Sequence, residues 1–165
     1  MNFVSIIMAN KTHYEIMKNC ADTLEQFGVK YELVISSAIR SPKRTKEYIA
    51  KAETKGSKVF ICAAGMGAQL AGFVSSNTTK PVIGVPLKGD GVMDGMDAML
   101  STVQMPAGMP VATVALGKPG AVNAAYLAMQ ILANTDKELA IKLREDRVVK
   151  EKKICNDSKE IEVIL

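Results

Sequence analysis

The 165-residue sequence holds one histidine, His13, at the end of the run Asn10-Lys11-Thr12-His13, directly after the apolar stretch Phe3–Met8. Amide, ammonium and hydroxyl donors gathered where a strand gives way to a helix suit a phosphate, because the first amides of a helix point outward unsatisfied and its dipole favours an anion. A plainer reading stands beside that one: Thr12 followed three places on by Glu15 has the spacing of a capping box. His13 titrates near neutrality, so it can serve as an acid–base group, an anion ligand or an ordinary first-turn residue. A second cluster, Ser36-Ser37-Ala38-Ile39-Arg40, follows the apolar run Tyr31–Ile35. The planar guanidinium of Arg40 suits a two-point grip on phosphate, against the alternative of a surface ion pair, whereas Ile39 beside it can move no proton. A third segment, "AAGMGAQLAG", is so free of bulk that backbone amides around Gly65, Gly67, Ala68, Gln69 and Leu70 can approach a ligand closely. A fourth, "PLKGDGVMDGMDAM", offers Asp90, Asp94 and Asp97 as further proton carriers on what is either a lid or a long surface loop.

Residues so far apart in the chain do chemistry together only if the elements between them bring them together. Five runs, at 3–8, 31–35, 59–63, 82–85 and 111–116, are apolar almost without a break, which predicts strands buried on both faces. Helical periodicity lies between them at 13–27, 42–55, 68–75, 98–103 and 121–133, with Gly28 and Gly56 stopping the first two helices. Strands alternating with helices predict an α/β fold: a three-layer, doubly wound parallel sheet of the flavodoxin or Rossmann type. Such sheets bind ligands beyond the carboxyl ends of their strands, where the strand order reverses, so the four segments above form one expected site. A further helix at 136–153, capped by Thr135 or Asp136, is too sparse in apolar residues for a buried core helix. It is expected to project from the domain or to pack on a neighbouring subunit. The expected division is an α/β domain over 1–135 and a C-terminal helix and tail over 136–165, the apolar 161–165 either fraying or docking on a partner chain.

Composition narrows the class. A chain of this length buries enough surface to fold as one domain without staples, and the absence of Trp leaves Val, Ile, Leu, Met and Ala to build the core. The net charge is +4, and in "DKELAIKLREDRVVKEKK" seven Lys/Arg and five Asp/Glu mix along a helical pattern; this is a solvated face, with no basic stripe interleaved with stacking aromatics, so nucleic acid is not an expected partner. Cys20, Cys62 and Cys155 have no metal-type spacing and cannot all pair, which argues for a reducing compartment and against a metal site or a disulfide scaffold. No run approaches the roughly eighteen apolar residues of a membrane span, and the expected location is the cytoplasm.

The four segments, in this order, resemble the PurE family, the carboxyaminoimidazole ribonucleotide mutases and aminoimidazole ribonucleotide carboxylases of purine biosynthesis. The similarity runs over residues 3–143 and is most specific in "KPVIGVP" and "LSTVQMPAGMPVATVALGKPGAVNAAYLAMQIL". The resemblance implies a three-layer α/β fold and a homo-octamer with sites near subunit junctions. It also implies a ribonucleotide 5′-phosphate held by the first two loops, and chemistry on CO2 or bicarbonate with no metal and no organic cofactor. Carried over by position, Asn10, Lys11, Thr12, Ser37, Arg40, Gly65, Gly67, Ala68, Gln69 and Leu70 are the expected substrate and phosphate contacts. The family's Gly-Ser-x-Ser-Asp is Ala9 to His13 here, so only Thr12 keeps a hydroxyl and His13 stands in for an acidic residue. Its Ser-Ala-His-Arg is Ser37-Ala38-Ile39-Arg40, and the histidine of the third loop is Gln69. The expected function is therefore a PurE-like enzyme acting in carboxylation, decarboxylation or carboxylate migration, with His13 as the candidate acid–base and the standard mutase reaction in doubt at Ile39. The alternatives are a related enzyme on a different heteroaromatic ribonucleotide and a non-catalytic nucleotide-binding homologue.

Overall fold

The structure, a computed structural model, describes residues 2–91, 93–161 and 163. Its contacts cluster into two compact units, Met1–Met129 and Gln130–Leu165. In the first unit five strands, β1 (Phe3–Met8), β2 (Tyr31–Ile35), β3 (Ser57–Gly65), β4 (Val82–Leu87) and β5 (Ala112–Thr113), form one parallel sheet in the order β2-β1-β3-β4-β5. Every pairing is parallel, as continuous apolar strands require, and the order reverses between β1 and β3, the flavodoxin-like switch point.

The helices between strands follow from the same periodicities. A 3₁₀ turn at Lys11–His13 leads into α1 (Tyr14–Gln26), whose buried Met17, Cys20, Ala21 and Leu24 recur at three- and four-residue steps. Helix α2 (Pro42–Lys55) starts with proline at its first position and ends on Gly56 at φ 107°, a left-handed cap that glycine adopts without Cβ strain. Helices α3 (Gln69–Ser75), α4 (Met96–Val103) and α5 (Gly117–Ala133) complete the layers, α3 against β3 and α4 against β4. Gly84 in β4 makes that approach possible: a Cβ there would lie 2.3 Å from the Thr102 methyl. The core is aliphatic, with Ile6, Ile7, Met8, Ile61, Ile83 and Leu87 fully buried around Phe60.

Several expectations need correction. Strand β2 is half-buried rather than buried on both faces, because it lies at the sheet edge. The strand expected over 111–116 shrinks to two residues; Ala115, at φ 146°, and Gly117, at φ 65°, turn the chain out of the extended region. Thr12 does not cap α1; Asn10 caps the preceding turn by accepting from the Thr12 amide at 3.1 Å. In the second unit α6 (Lys137–Ile161) runs eight residues beyond the expected end, and Asp136, not Thr135, caps it by accepting from the Leu139 amide at 3.0 Å. Its only buried residues are Leu139 and Leu143. Of the apolar tail at 161–165, Ile161 and Val163 are exposed, and positions 162, 164 and 165 lie outside the described residues.

Candidate functional site

The loops that follow β1, β2, β3 and β4 line one cavity of ≈ 660 Å³ at the carboxyl ends of the strands. That size lies within the range of small-ligand pockets, roughly 300–1,000 Å³. The first loop contributes Asn10, Thr12 and His13, the second Ser37, Ile39 and Arg40, the third Gly65 to Leu70, and the fourth Lys88 and Asp90. Lys11 shares the first turn but does not line the cavity, and neither do Asp94 and Asp97. Lys88 was the residue that sequence reasoning passed over. It is the first residue beyond β4, and the one available signal was that a strand end in a parallel sheet delivers its next side chain to the site.

The second loop is held in shape by its own hydroxyls. Ser37 Oγ accepts from the amides of Ile39 at 3.3 Å and Arg40 at 3.0 Å, while the Ser37 amide donates to Ser41 Oγ at 2.9 Å. Ser36 is committed elsewhere: its hydroxyl pairs with Thr45 at 2.8 Å in the interior, so it serves the fold and not the cavity. This frame presents Arg40 Nη2 to the Ala9 carbonyl, 3.0 Å away across the sheet, which ties the second loop to the first. Among the described residues no carboxylate pairs with Arg40, and its guanidinium makes one hydrogen bond, to Ala9. Ile39, next to it, is 71% exposed, an alkyl group facing open space.

His13 is the buried member of the site, 8% exposed, and its Nδ1 has no hydrogen-bond partner among the described residues. Its pKa lies below the ordinary 6.5, first because burial penalises the charged ring and second because Arg40 repels a proton there. The imidazole is therefore neutral at pH 7 and keeps one unused nitrogen. In the third loop, Gly65 lets the backbones come close: a Cβ would stand 3.1 Å from the Leu87 carbonyl and 3.2 Å from Gly89 Cα, so the neighbouring turn would have to give by a few tenths of an ångström. The left-handed positions of this loop are Met66 (φ 53°) and Ala68 (φ 36°), neither of them glycine, a conformation that costs an L-residue on the order of 1 kcal/mol. Helix α3 then begins at Gln69 with no side-chain cap on its first amides. In the fourth loop Lys88 pairs with Asp94, an exposed contact that leaves Asp90 facing the cavity.

A second cavity, ≈ 630 Å³, lies at the opposite ends of β1 and β2, but its charges are matched internally. Lys55 pairs with Glu32 at 2.8 Å, and the Tyr31 hydroxyl donates to Glu25 at 2.5 Å, an arrangement that pushes the phenol up to about 12.

A parallel α/β sheet in flavodoxin order, with its candidate site built from the loops at the switch point and beside it, defines the class of protein. Residues 3–153 match the AIR carboxylase family, and the chain belongs to it, as a PurE-type member. It is 48% identical over 144 residues to an N5-carboxyaminoimidazole ribonucleotide mutase of Bacillus subtilis (strain 168), covering 87% of this chain and 88% of that protein. Against the enzyme of the same name from Pyrococcus horikoshii the identity is 45% over 159 residues, 96% of this chain and 88% of the relative. The fold matches the crystal structure of Treponema denticola PurE with a TM-score of 0.88 at 26% identity, over 99% of this chain and 100% of that one. Among the described residues no helix is long and apolar enough to cross a membrane.

Proposed function

We propose that the cavity binds an aminoimidazole-type ribonucleotide through its 5′-phosphate and promotes carboxylation, decarboxylation or carboxylate migration on the base, with CO2 or bicarbonate as the small partner. The observation that carries this reading is Arg40, an arginine with no carboxylate partner among the described residues, whose loop is buttressed by Ser37 and tied to the first loop through Ala9. Asn10, Thr12 and Ser37 supply further donors to the phosphate; Lys11, exposed on the same turn, adds charge at longer range. Backbone around Gly65, Gly67, Ala68 and Leu70 and the side chain of Gln69 meet the ribose and base. No metal or organic cofactor is required by this scheme. Three unpaired cysteines accord with a reducing, cytoplasmic location, and the assembly we infer is a homo-octamer, with residues 136–165 taking part in it.

The proton is the difficulty. Family chemistry needs an acid–base group at the ring carbon, worth about 10² to 10⁴ in rate, and an isoleucine at 39 supplies none. His13 is the candidate: it is buried in the same cavity, neutral at pH 7 and carries an unpartnered nitrogen. Turnover of carboxyaminoimidazole ribonucleotide by the wild type, His13→Asn and Ile39→His tests this. Slow wild-type turnover, lowered about a hundredfold or more by His13→Asn, is expected. Family-like turnover that survives His13→Asn would place the proton on another group. A second reading, a nucleotide-binding homologue without catalysis, draws on the two non-ionisable residues Ile39 and Gln69, and tight binding with zero turnover would establish it.

A further inference from the structure

The ≈ 660 Å³ cavity carries charge at two places. Among the described residues that line it, the charged side chains are Arg40 in the second loop and Lys88 and Asp90 in the fourth. The sheet sets how far apart the two cations are rooted. Arg40 Nη2 reaches the Ala9 carbonyl at 3.0 Å, so the guanidinium stands at the end of β1. Lys88 is the first residue beyond β4, and β3 lies between those two strands. Neighbouring strands lie about 4.8 Å apart, so two spacings put the anchors on the order of 10 Å from each other across the sheet. The third loop fills the interval: Gly65, at the end of β3, pairs with Leu87, and the chain from Ala64 to Leu70 lines the cavity. A phosphate on Arg40 therefore leaves its ribose and a five-membered ring to cross the third loop, which brings the far edge of the ring to the fourth.

That edge is where a carboxylate is gained, lost or moved in the proposed reaction, and Lys88 is equipped to meet it. Its ammonium has three donors, and its partner Asp94 does not line the cavity. With side chains 70% and 74% exposed, the two form a surface ion pair, a kind that contributes little and exchanges easily. Asp90 presents an anion to the same space two residues further on, and would repel a carboxylate that entered with no cation beside it. We propose that Lys88 is the carboxylate-binding residue of this cavity: it shares or releases Asp94 and takes the carboxylate on the ring, while Arg40 holds the phosphate. The ligand is then recognised at both ends, and the fourth loop selects the carboxylated base over the uncarboxylated one. This rests on the ribonucleotide reading of Arg40, and the experiment separates the two.

Calorimetry is run on the full chain with three probes: ribose 5-phosphate, aminoimidazole ribonucleotide and its 4-carboxylate. Ribose 5-phosphate reports the phosphate grip alone. In the wild type the carboxylate should bind about tenfold or more tighter than the uncarboxylated nucleotide, the worth of one charge-assisted hydrogen bond. Lys88→Gln should bring that ratio below about threefold and leave ribose 5-phosphate within about twofold of wild type, whereas Lys88→Arg should keep the preference. Asp94→Asn separates direct contact from bracing of the loop. A lysine that acts only by bracing the loop through Asp94 loses its effect with that partner; one that meets the ligand keeps the preference at wild-type strength or above. Equal affinity for the two nucleotides, a preference that survives Lys88→Gln, or one that Asp94→Asn also removes, overturns the assignment while ribose 5-phosphate still binds. Failure of all three probes to bind overturns the ribonucleotide reading and this inference with it.

Discussion

Arg40 and His13 face one cavity, and each should respond to a phosphate in its own way. Arg40→Ala removes charge-assisted bonds worth about 1.5–3 kcal/mol each, so a nucleotide ligand should weaken at least about tenfold. Unchanged affinity in calorimetry would remove the second loop from the phosphate site. For His13 the sign follows from its lowered pKa. Above the unfolded value of 6.5 both states are neutral and the residue contributes nothing to stability. As pH falls below 6.5 the unfolded chain takes up the proton first, so the native state loses stability down through the depressed folded value. A phosphate dianion beside the ring reverses the Arg40 effect and raises that pKa, so binding near pH 6 should draw in a proton. The measure is a binding enthalpy that varies with the ionisation enthalpy of the buffer, and His13→Asn should change the slope of that variation to the one set by the phosphate's own ionisation near pH 6. Most of these residues were legible in the sequence because they sit immediately after apolar runs, which in a parallel sheet can only mean the ligand end. What was not legible was allocation: Ser36 and Ser37 are adjacent and chemically alike, yet one is spent on Thr45 inside and the other supports the loop.

Elements meet closely in this fold through small residues, and two glycines give contrasting expectations. A Cβ on Gly120, in the first turns of α5, would lie 2.3 Å from the Ala115 carbonyl oxygen, a backbone atom with no easy way to yield. Gly120→Ala should therefore cost roughly 1–3 kcal/mol, read as a lower urea midpoint with an unchanged slope. At Gly67 the nearest atom to a new Cβ is Gln69 Nε2 at 3.6 Å, so Gly67→Ala should leave the midpoint within about 0.5 kcal/mol of wild type. The strands β1 and β2 and the helix α2 coincide with their sequence-based limits, because continuous apolar runs, an N1 proline and a left-handed glycine cap are local signals. The failures were tertiary. Nothing in the run at 111–116 announces that it pairs with β4 at only two residues, Ala112 and Thr113, and nothing in β2 alone tells an edge strand from a central one.

On the scale of the whole molecule, the first unit leaves Met96, Leu100 and Val103 exposed at helical spacing on α4, with Met93 and Met109 exposed as well. Such a stripe is costly to hold in water and suits contact with another copy of the chain. Light scattering should give a closed homo-oligomer, an octamer by family resemblance, and Leu100→Glu should lower its mass; a stable wild-type monomer at micromolar concentration would overturn the expectation. Within the second unit α6 exposes Ile141, Val148, Val149, Ile154 and Ile161 along its length, so removing residues 136–165 should either reduce the assembly or leave it intact and exclude the helix from it. The brevity of β5 has a separate effect at this scale. A sheet border normally presents a ladder of unpaired amides and carbonyls on which a foreign strand can grow, and native chains blunt that hazard by keeping the outermost strand short. Two residues offer almost no template, so the β5 side of the sheet gives a foreign strand little on which to grow.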